Sequence, residues 1–216
     1  MTDARETLRL IYFDFPFWRA EASRIALHMG GIDFEDVRPG REEFRAMKAS
    51  GELPYGQLPV LDVDGVRIAQ SVAIARFCGK RAGLYPESDV DQARVDELLD
   101  TATQITSLLT PSFKESDPER RAALRANLVE RDLPQWFGFL EARLLANGDG
   151  GFLVGDQLTI ADLLIWKLLG WFAGGILDGI PKTILDGQPH LRAHFDTIDS
   201  LPQVREWMER HYGSRG

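Results

Sequence analysis

The sequence holds one cysteine, Cys78, among its 216 residues. A lone thiol excludes an intramolecular disulfide framework and fits a reducing compartment, so a cytoplasmic location is expected. No apolar run approaches the ~20 residues that span a bilayer, so no membrane partner is expected. The opening MTDARETLRL lacks the basic flank and apolar stretch of a signal peptide. Positive charge is scarce as well: 25 Lys and Arg stand against 33 Asp and Glu, a net charge of -8. That balance argues against nucleic acid as a partner, because such binding needs a basic face. His28, His190, His194 and His211 show no metal-ligand spacing with carboxylates or cysteines, so no metal is expected. Internal repeats and low-complexity segments are missing too.

What is present is the composition of an ordinary globular chain, 44% hydrophobic and 27% charged. An acidic chain that binds an anion must gather its few cations at the site. Arg19, Arg41, Arg45 and Lys48 all fall early in the chain.

The early part alternates strand and helix signals. Leu8 to Phe13 is a short apolar run that predicts a buried strand. Ala22, Ile25, Ala26 and Met29 share a helical face that stops at Gly30-Gly31. Phe34 and Val37 suggest a second strand, and Phe44, Met47 and Lys48 a short helix. Leu58-Pro59-Val60-Leu61 and Val66-Arg67-Ile68 flank Asp64-Gly65, a strong hairpin signal. Gln70 to Lys80 closes the unit as a helix. The order βαβαββα is that of a thioredoxin-like α/β domain, here residues 1–82. Residues 83–88 read as a linker and 89–216 as an all-α domain. Ser88 with Asp91, Asp117-Pro118-Glu119 and Thr159-Ile160-Ala161-Asp162 each look like a helix start. Leu201 to Tyr212 predicts a last amphipathic helix.

Tyr12-Phe13, Arg19-Ala20-Glu21, Gly56-Gln57-Leu58-Pro59-Val60-Leu61, Asp64-Gly65 and Gln70-Ser71-Val72-Ala73-Ile74-Ala75-Arg76 follow one another in an order and spacing that resemble a glutathione transferase. The segment Gly155-Asp156-Gln157-Leu158-Thr159-Ile160-Ala161-Asp162 continues the resemblance. The pattern is similar to the sigma class, which includes a glutathione-dependent prostaglandin D synthase. This implies the glutathione transferase fold, glutathione as co-substrate, a homodimer, and conjugation of glutathione to hydrophobic electrophiles in detoxification. A glutathione-dependent isomerase or peroxidase, or a non-catalytic binding protein of the same fold, is the alternative.

The resemblance also implies roles. The nucleophile is the thiolate of glutathione, and a hydroxyl donating a hydrogen bond to sulfur favours that anion. Tyr12 takes this role, with the positive charge of Arg19 nearby. Leu58-Pro59 matches the family's cis-proline turn, which offers the Leu58 backbone to the cysteinyl residue as an added strand does. Gln70 and Ser71 open a helix whose N-terminus attracts the γ-glutamyl carboxylate. Phe44, Lys48 and Gln57 complete the glutathione contacts, Lys48 reaching the glycyl carboxylate. Phe44 stands where sigma enzymes carry tryptophan, which removes an indole donor. Gln104 stands where many relatives have an aspartate that crosses the dimer, and Asp100 lies one turn earlier. The loop from Phe13 to Trp18 is one residue longer than the usual sigma loop. Phe15, Phe17 and Trp18, with Ser107, Leu108 and Leu164, would line the electrophile pocket. The three aromatics could equally pack between the two halves of the chain. Cys78, in a mid-helix apolar run, reads as an inert core residue, and Trp166, Trp171 and Phe172 as core.

Overall fold

The fold comes from a computed structural model that describes residues 7–148 and 150–213. Its first half contains β1 (Leu8–Ile11), α1 (Trp18–Met29), β2 (Glu35–Val37), α2 (Arg41–Ala49), β3 (Val60–Val63), β4 (Val66–Ala69) and α3 (Ser71–Arg81). This is the βαβαββα order read from the sequence. The sheet order is β2-β1-β3-β4, with β1 parallel to β2 and antiparallel to β3. The β3–β4 hairpin turns at Asp64 (φ 49°) and Gly65 (φ 85°), the left-handed pair that a tight two-residue turn requires.

The second half is helical: α4 (Asp89–Ser107), α5 (Thr110–Lys114), α6 (Pro118–Asn127), α7 (Leu133–Ala146), α8 (Ile160–Ala173), α9 (Pro189–Ser200) and α10 (Pro202–Tyr212). Its starts are capped by the residues that signalled them. Ser88 Oγ accepts from the Asp91 N–H, and the Asp117 carboxylate accepts from the Arg120 N–H at 2.9 Å. At α8, Thr159 and Asp162 form a capping box. Asp162 accepts four hydrogen bonds in all, from the Leu153 N–H, the Thr159 N–H and hydroxyl, and the His194 ring. A π-helical turn over Leu128–Asp132 joins α6 to α7, just before Pro134, whose missing N–H breaks the regular ladder there.

One continuous core runs through both halves, because α1 packs on α3 on one side and on α8 on the other. The contact is close: a Cβ on Gly79 of α3 would sit 2.8 Å from Ile160 Cβ, so no larger residue fits. A second, small cluster of Ile11, Met47, Leu53 and Val60 lies beneath α2. Asp96 of α4 is not merely a solvated helix residue. It accepts hydrogen bonds from Arg76 Nε at 2.7 Å and from the Tyr85 hydroxyl at 2.6 Å, tying α4 to α3 and the connecting loop.

The tightest polar feature is buried. Glu21 and Arg24, both 0% exposed, pair across one turn of α1 at 3.1 Å. Arg24 Nε also donates to Asp36 of β2 at 2.8 Å, while Glu21 accepts from Trp207 Nε1 at 2.6 Å and from the Tyr212 hydroxyl at 2.8 Å. Residues of α1, β2 and α10 thus satisfy one another's charges and donors. Removing one member of a buried ion pair leaves the other uncompensated, at a cost of about 3–5 kcal/mol. Arg24→Met is therefore expected to destabilise the fold by that amount, read as a lower urea midpoint at an unchanged slope. An unchanged midpoint would show that Glu21 is not held by Arg24.

Candidate active site

Tyr12 follows directly on the central strand β1, and its N–H continues the β1–β2 ladder by donating to the Val37 carbonyl at 3.0 Å. The Arg24 guanidinium holds the next stretch in place, donating from Nη2 to the Tyr12 and Phe13 carbonyls at 3.2 and 3.4 Å. The phenol itself is buried. Desolvation pushes it up to about 12, against a smaller pull downward from Arg19 and Arg24. A phenol so raised stays protonated across the physiological range and can only donate to an anion beside it. Arg19, the second proposed catalytic group, is close enough to couple electrostatically with Tyr12; burial lowers its pKa and Tyr12 raises it. Its guanidinium lies over the Trp18 ring, 4.8 Å from the centroid.

Arg19 also borders a narrow cleft whose other walls include Gln57, Leu58, Pro59, Gln70 and Ser71. The Leu58–Pro59 peptide is cis. Among the described residues the Leu58 N–H and C=O have no backbone partner, so this edge is open to an extended peptide. Across the cleft stands the N-terminus of α3. Gln70 is its N-cap and Ser71 its first helical residue, so the serine is not the cap. The first helical bond runs from Ile74 N–H to the Gln70 carbonyl at 3.0 Å, leaving the Ser71, Val72 and Ala73 amides without an intrahelical acceptor. No side chain caps them. These amides, the helix dipole and the Ser71 hydroxyl together make an anion site. Gln70 adopts φ 74°, ψ 120°, a strained conformation for a residue with a Cβ. Nothing in the sequence signalled it, since glycine is the residue expected there.

On the other flank, Lys48 lies against the Gly56 turn, where a Cβ would stand 3.4 Å from Lys48 Cε. Phe44 meets Phe13 edge-on, with centroids 5.1 Å apart, which keeps α2 beside the Tyr12 loop. Gln104 is exposed on α4 and is not among the residues of this cleft.

The residues expected at the electrophile site divide. Phe15 is 40% exposed and stacks on Phe17 at 5.7 Å. Phe17 in turn meets Trp171 edge-on at 4.7 Å. Ser107 is exposed, its hydroxyl donating to the Thr103 carbonyl at 2.8 Å, and Leu108 is half-buried. Trp18 and Leu164 are 1% and 0% exposed, inside the core, and present no surface to a ligand in this conformation. Trp171 does more than fill the core. With Phe15, Trp166, Ile176, Phe195 and Met208 it lines a cavity of about 500 Å³.

Two family models match. The one described as the glutathione S-transferase N-terminal domain covers residues 8–79, and the one for the C-terminal domain covers residues 100–211. Glutathione S-transferase 1 of Ascaris suum is 32% identical over 209 residues, spanning 93% of this chain and 94% of its own. Among solved structures, prostaglandin synthase D of Nilaparvata lugens superposes with a TM-score of 0.82 at 31% identity, over 94% of this chain and 98% of that one. A monomeric glutathione S-transferase of Necator americanus superposes with a TM-score of 0.80 at 33% identity, over 97% and 100%. With a thioredoxin-like first half and a helical second half around the same core, the chain belongs to the glutathione S-transferase family.

Proposed function

We propose that the protein conjugates reduced glutathione to hydrophobic electrophiles, with Tyr12 donating a hydrogen bond to the glutathione thiolate. The observation that carries this reading is the buried, firmly protonated Tyr12 phenol, coupled electrostatically to Arg19, which borders a cleft edged by the free Leu58 backbone and the uncapped N-terminus of α3. In this reading Leu58 pairs with the cysteinyl backbone, while Ser71 and the α3 amides take the γ-glutamyl carboxylate. Gln57 and Gln70 flank them, Lys48 takes the glycyl carboxylate with Phe44 beside it, and Arg19 adds positive charge near sulfur. The electrophile meets the thiolate along the Phe15–Phe17 loop. An isomerase of the same site is the second reading, supported by the likeness to prostaglandin synthase D. We propose the sigma class on the order and spacing of the motifs from Tyr12 to Arg76, despite the longer loop before Arg19, and a cytoplasmic location on the single buried thiol.

One hydrogen bond to an anion is worth about 1.5–3 kcal/mol. Tyr12→Phe is accordingly expected to raise the pKa of the bound thiol by about 1–2 units and to slow conjugation of an aryl halide about 10- to 100-fold. Glutathione affinity should be nearly intact. Ultraviolet titration of the bound thiolate alongside turnover checks this. Wild-type values for both would transfer the activating role to another donor.

Ser71→Ala should weaken glutathione binding by about 1–2 kcal/mol, as loss of a charge-assisted bond does. Calorimetry reads it, and an undiminished affinity would remove the γ-glutamyl assignment.

A homodimer is our reading of the assembly. Its support is modest but concrete: Tyr55, Val66 and Val90 are large, exposed apolar side chains, and Gln104 is free on α4 to reach a second copy. The Necator americanus relative described as monomeric shows that the fold also stands alone. Light scattering at micromolar concentration should return twice the chain mass. Gln104→Asp should then tighten glutathione binding by placing a charge opposite its ammonium, and a single-chain mass would remove both expectations.

A further inference from the structure

Among the described residues, one buried cation has unsatisfied hydrogen-bond donors and no part in the proposed glutathione site. Arg125, in the last turn of α6, is 6% exposed, and its Nε and Nη1 have no hydrogen-bond partner. Burial lowers its pKa; Asp178 pulls it upward without an ion pair to it among the described residues, and Arg121 opposes. Its guanidinium lies over the ring of Phe113 at 4.8 Å. Unpaired buried donors are costly, and a guanidinium left so is shaped for the two oxygens of one oxyanion.

Its location gives that oxyanion a context. Phe113 is 59% exposed, and its ring lies 6.5 Å from that of Trp171. Trp171 meets Phe17, over which Arg19 is placed at 5.9 Å. An unbroken row of aromatic rings therefore leads from the arginine beside Tyr12 to a second, unsatisfied arginine. Phe17 and Trp171 are themselves buried, 8% and 9% exposed. The apolar surface along the row is that of Phe15 and Phe113, with the cavity that Phe15 and Trp171 line. It lies between an end that suits a thiolate and an end that suits a carboxylate.

Resting on the conjugation reading above, we propose that Arg125 is a specificity-determining residue for the second substrate: the protein prefers apolar electrophiles that carry a carboxylate remote from the reacting carbon. Phe113, the exposed ring covering the guanidinium, turns aside as the carboxylate docks. The chemistry at the near end is unchanged. Glutathione sulfur bonds to the β-carbon of an α,β-unsaturated aldehyde, the π pair moves to the α-carbon, and that carbon takes a proton from solvent with no leaving group.

The test uses 2-alkenals of graded length, each with a terminal carboxylate or its methyl ester, and the saturated acid and ester of each length as unreactive binding probes. Wild-type protein is expected to favour acid over ester about 10- to 100-fold in kcat/KM at one best length, and to bind the saturated acid more tightly in the same ratio by tryptophan fluorescence. Arg125→Met should erase both ratios by weakening the acids alone, leaving the esters and the KM for glutathione unchanged. Arg125→Lys, which keeps the charge but not the fork, should retain part of the preference and guards against loss of fold in the methionine variant. Equal handling of acid and ester by the wild type, or a ratio that survives in Arg125→Met, overturns the proposal. Failure of every alkenal and of an aryl halide to react would instead defeat the conjugation reading. The binding ratio would still decide Arg125.

Discussion

The Glu21–Arg24–Asp36 cluster is the constraint that the rest of the molecule is built around. Glu21 and Arg24 carry charge where water cannot reach, so each must be met by another group, and the partners come from α1, β2 and α10. Arg24 spends its remaining donors on the Tyr12 and Phe13 carbonyls. The backbone that aims the Tyr12 phenol is thereby fixed by a group whose own position depends on the last helix of the chain. Tyr212 and Trp207, far from Tyr12 in sequence, are linked to it through Glu21 and Arg24. Such a network is all or nothing: while every member is paired it rigidifies the site, and a single missing partner strands a buried charge.

The local shapes on which the proposed glutathione side rests were legible in the sequence because each is built from one short segment. Each of its parts is a short run that shapes its own backbone: a strand end at Tyr12, the Leu58–Pro59 turn, the start of α3 at Gln70-Ser71. Helix caps at Ser88, Asp117 and Thr159 were legible for the same reason, since a cap and its amide lie within one turn. What escaped the sequence is what distant segments make together. Glu21 and Arg24, three apart, look like an ordinary surface pair until β2 and α10 close over them. Asp96 looks like a solvated helix residue until Arg76 and Tyr85 reach it. Trp171 has the spacing of a core residue, and only the fold shows that its far side borders a cavity. Gln70 shows the limit within the local motif itself, because its left-handed φ is imposed by the junction of β4 and α3 rather than by its own preference.

The two halves of the site therefore differ in kind. In the proposed function the glutathione half draws on backbone groups at Leu58 and at the start of α3 beside the side chains of Tyr12, Lys48 and Ser71. The proposed electrophile half draws on side chains alone, brought from the β1–α1 loop, α5, α6 and α8, so modest substitutions there would re-shape it. Trp18 and Leu164, which the sequence pattern set beside the electrophile, are both enclosed in the core.

Cys78 sits in α3, fully enclosed, its thiol pushed up to about 12 by burial. A protein that gathers reactive electrophiles around a borrowed thiolate runs the hazard of being alkylated by them, or of trapping oxidised glutathione as a mixed disulfide. Both reactions need an accessible thiolate of the protein's own. With its one sulfhydryl neutral and out of reach, this chain leaves its co-substrate as the only thiol open to attack. Inactivation by its own substrates must then proceed through some other residue.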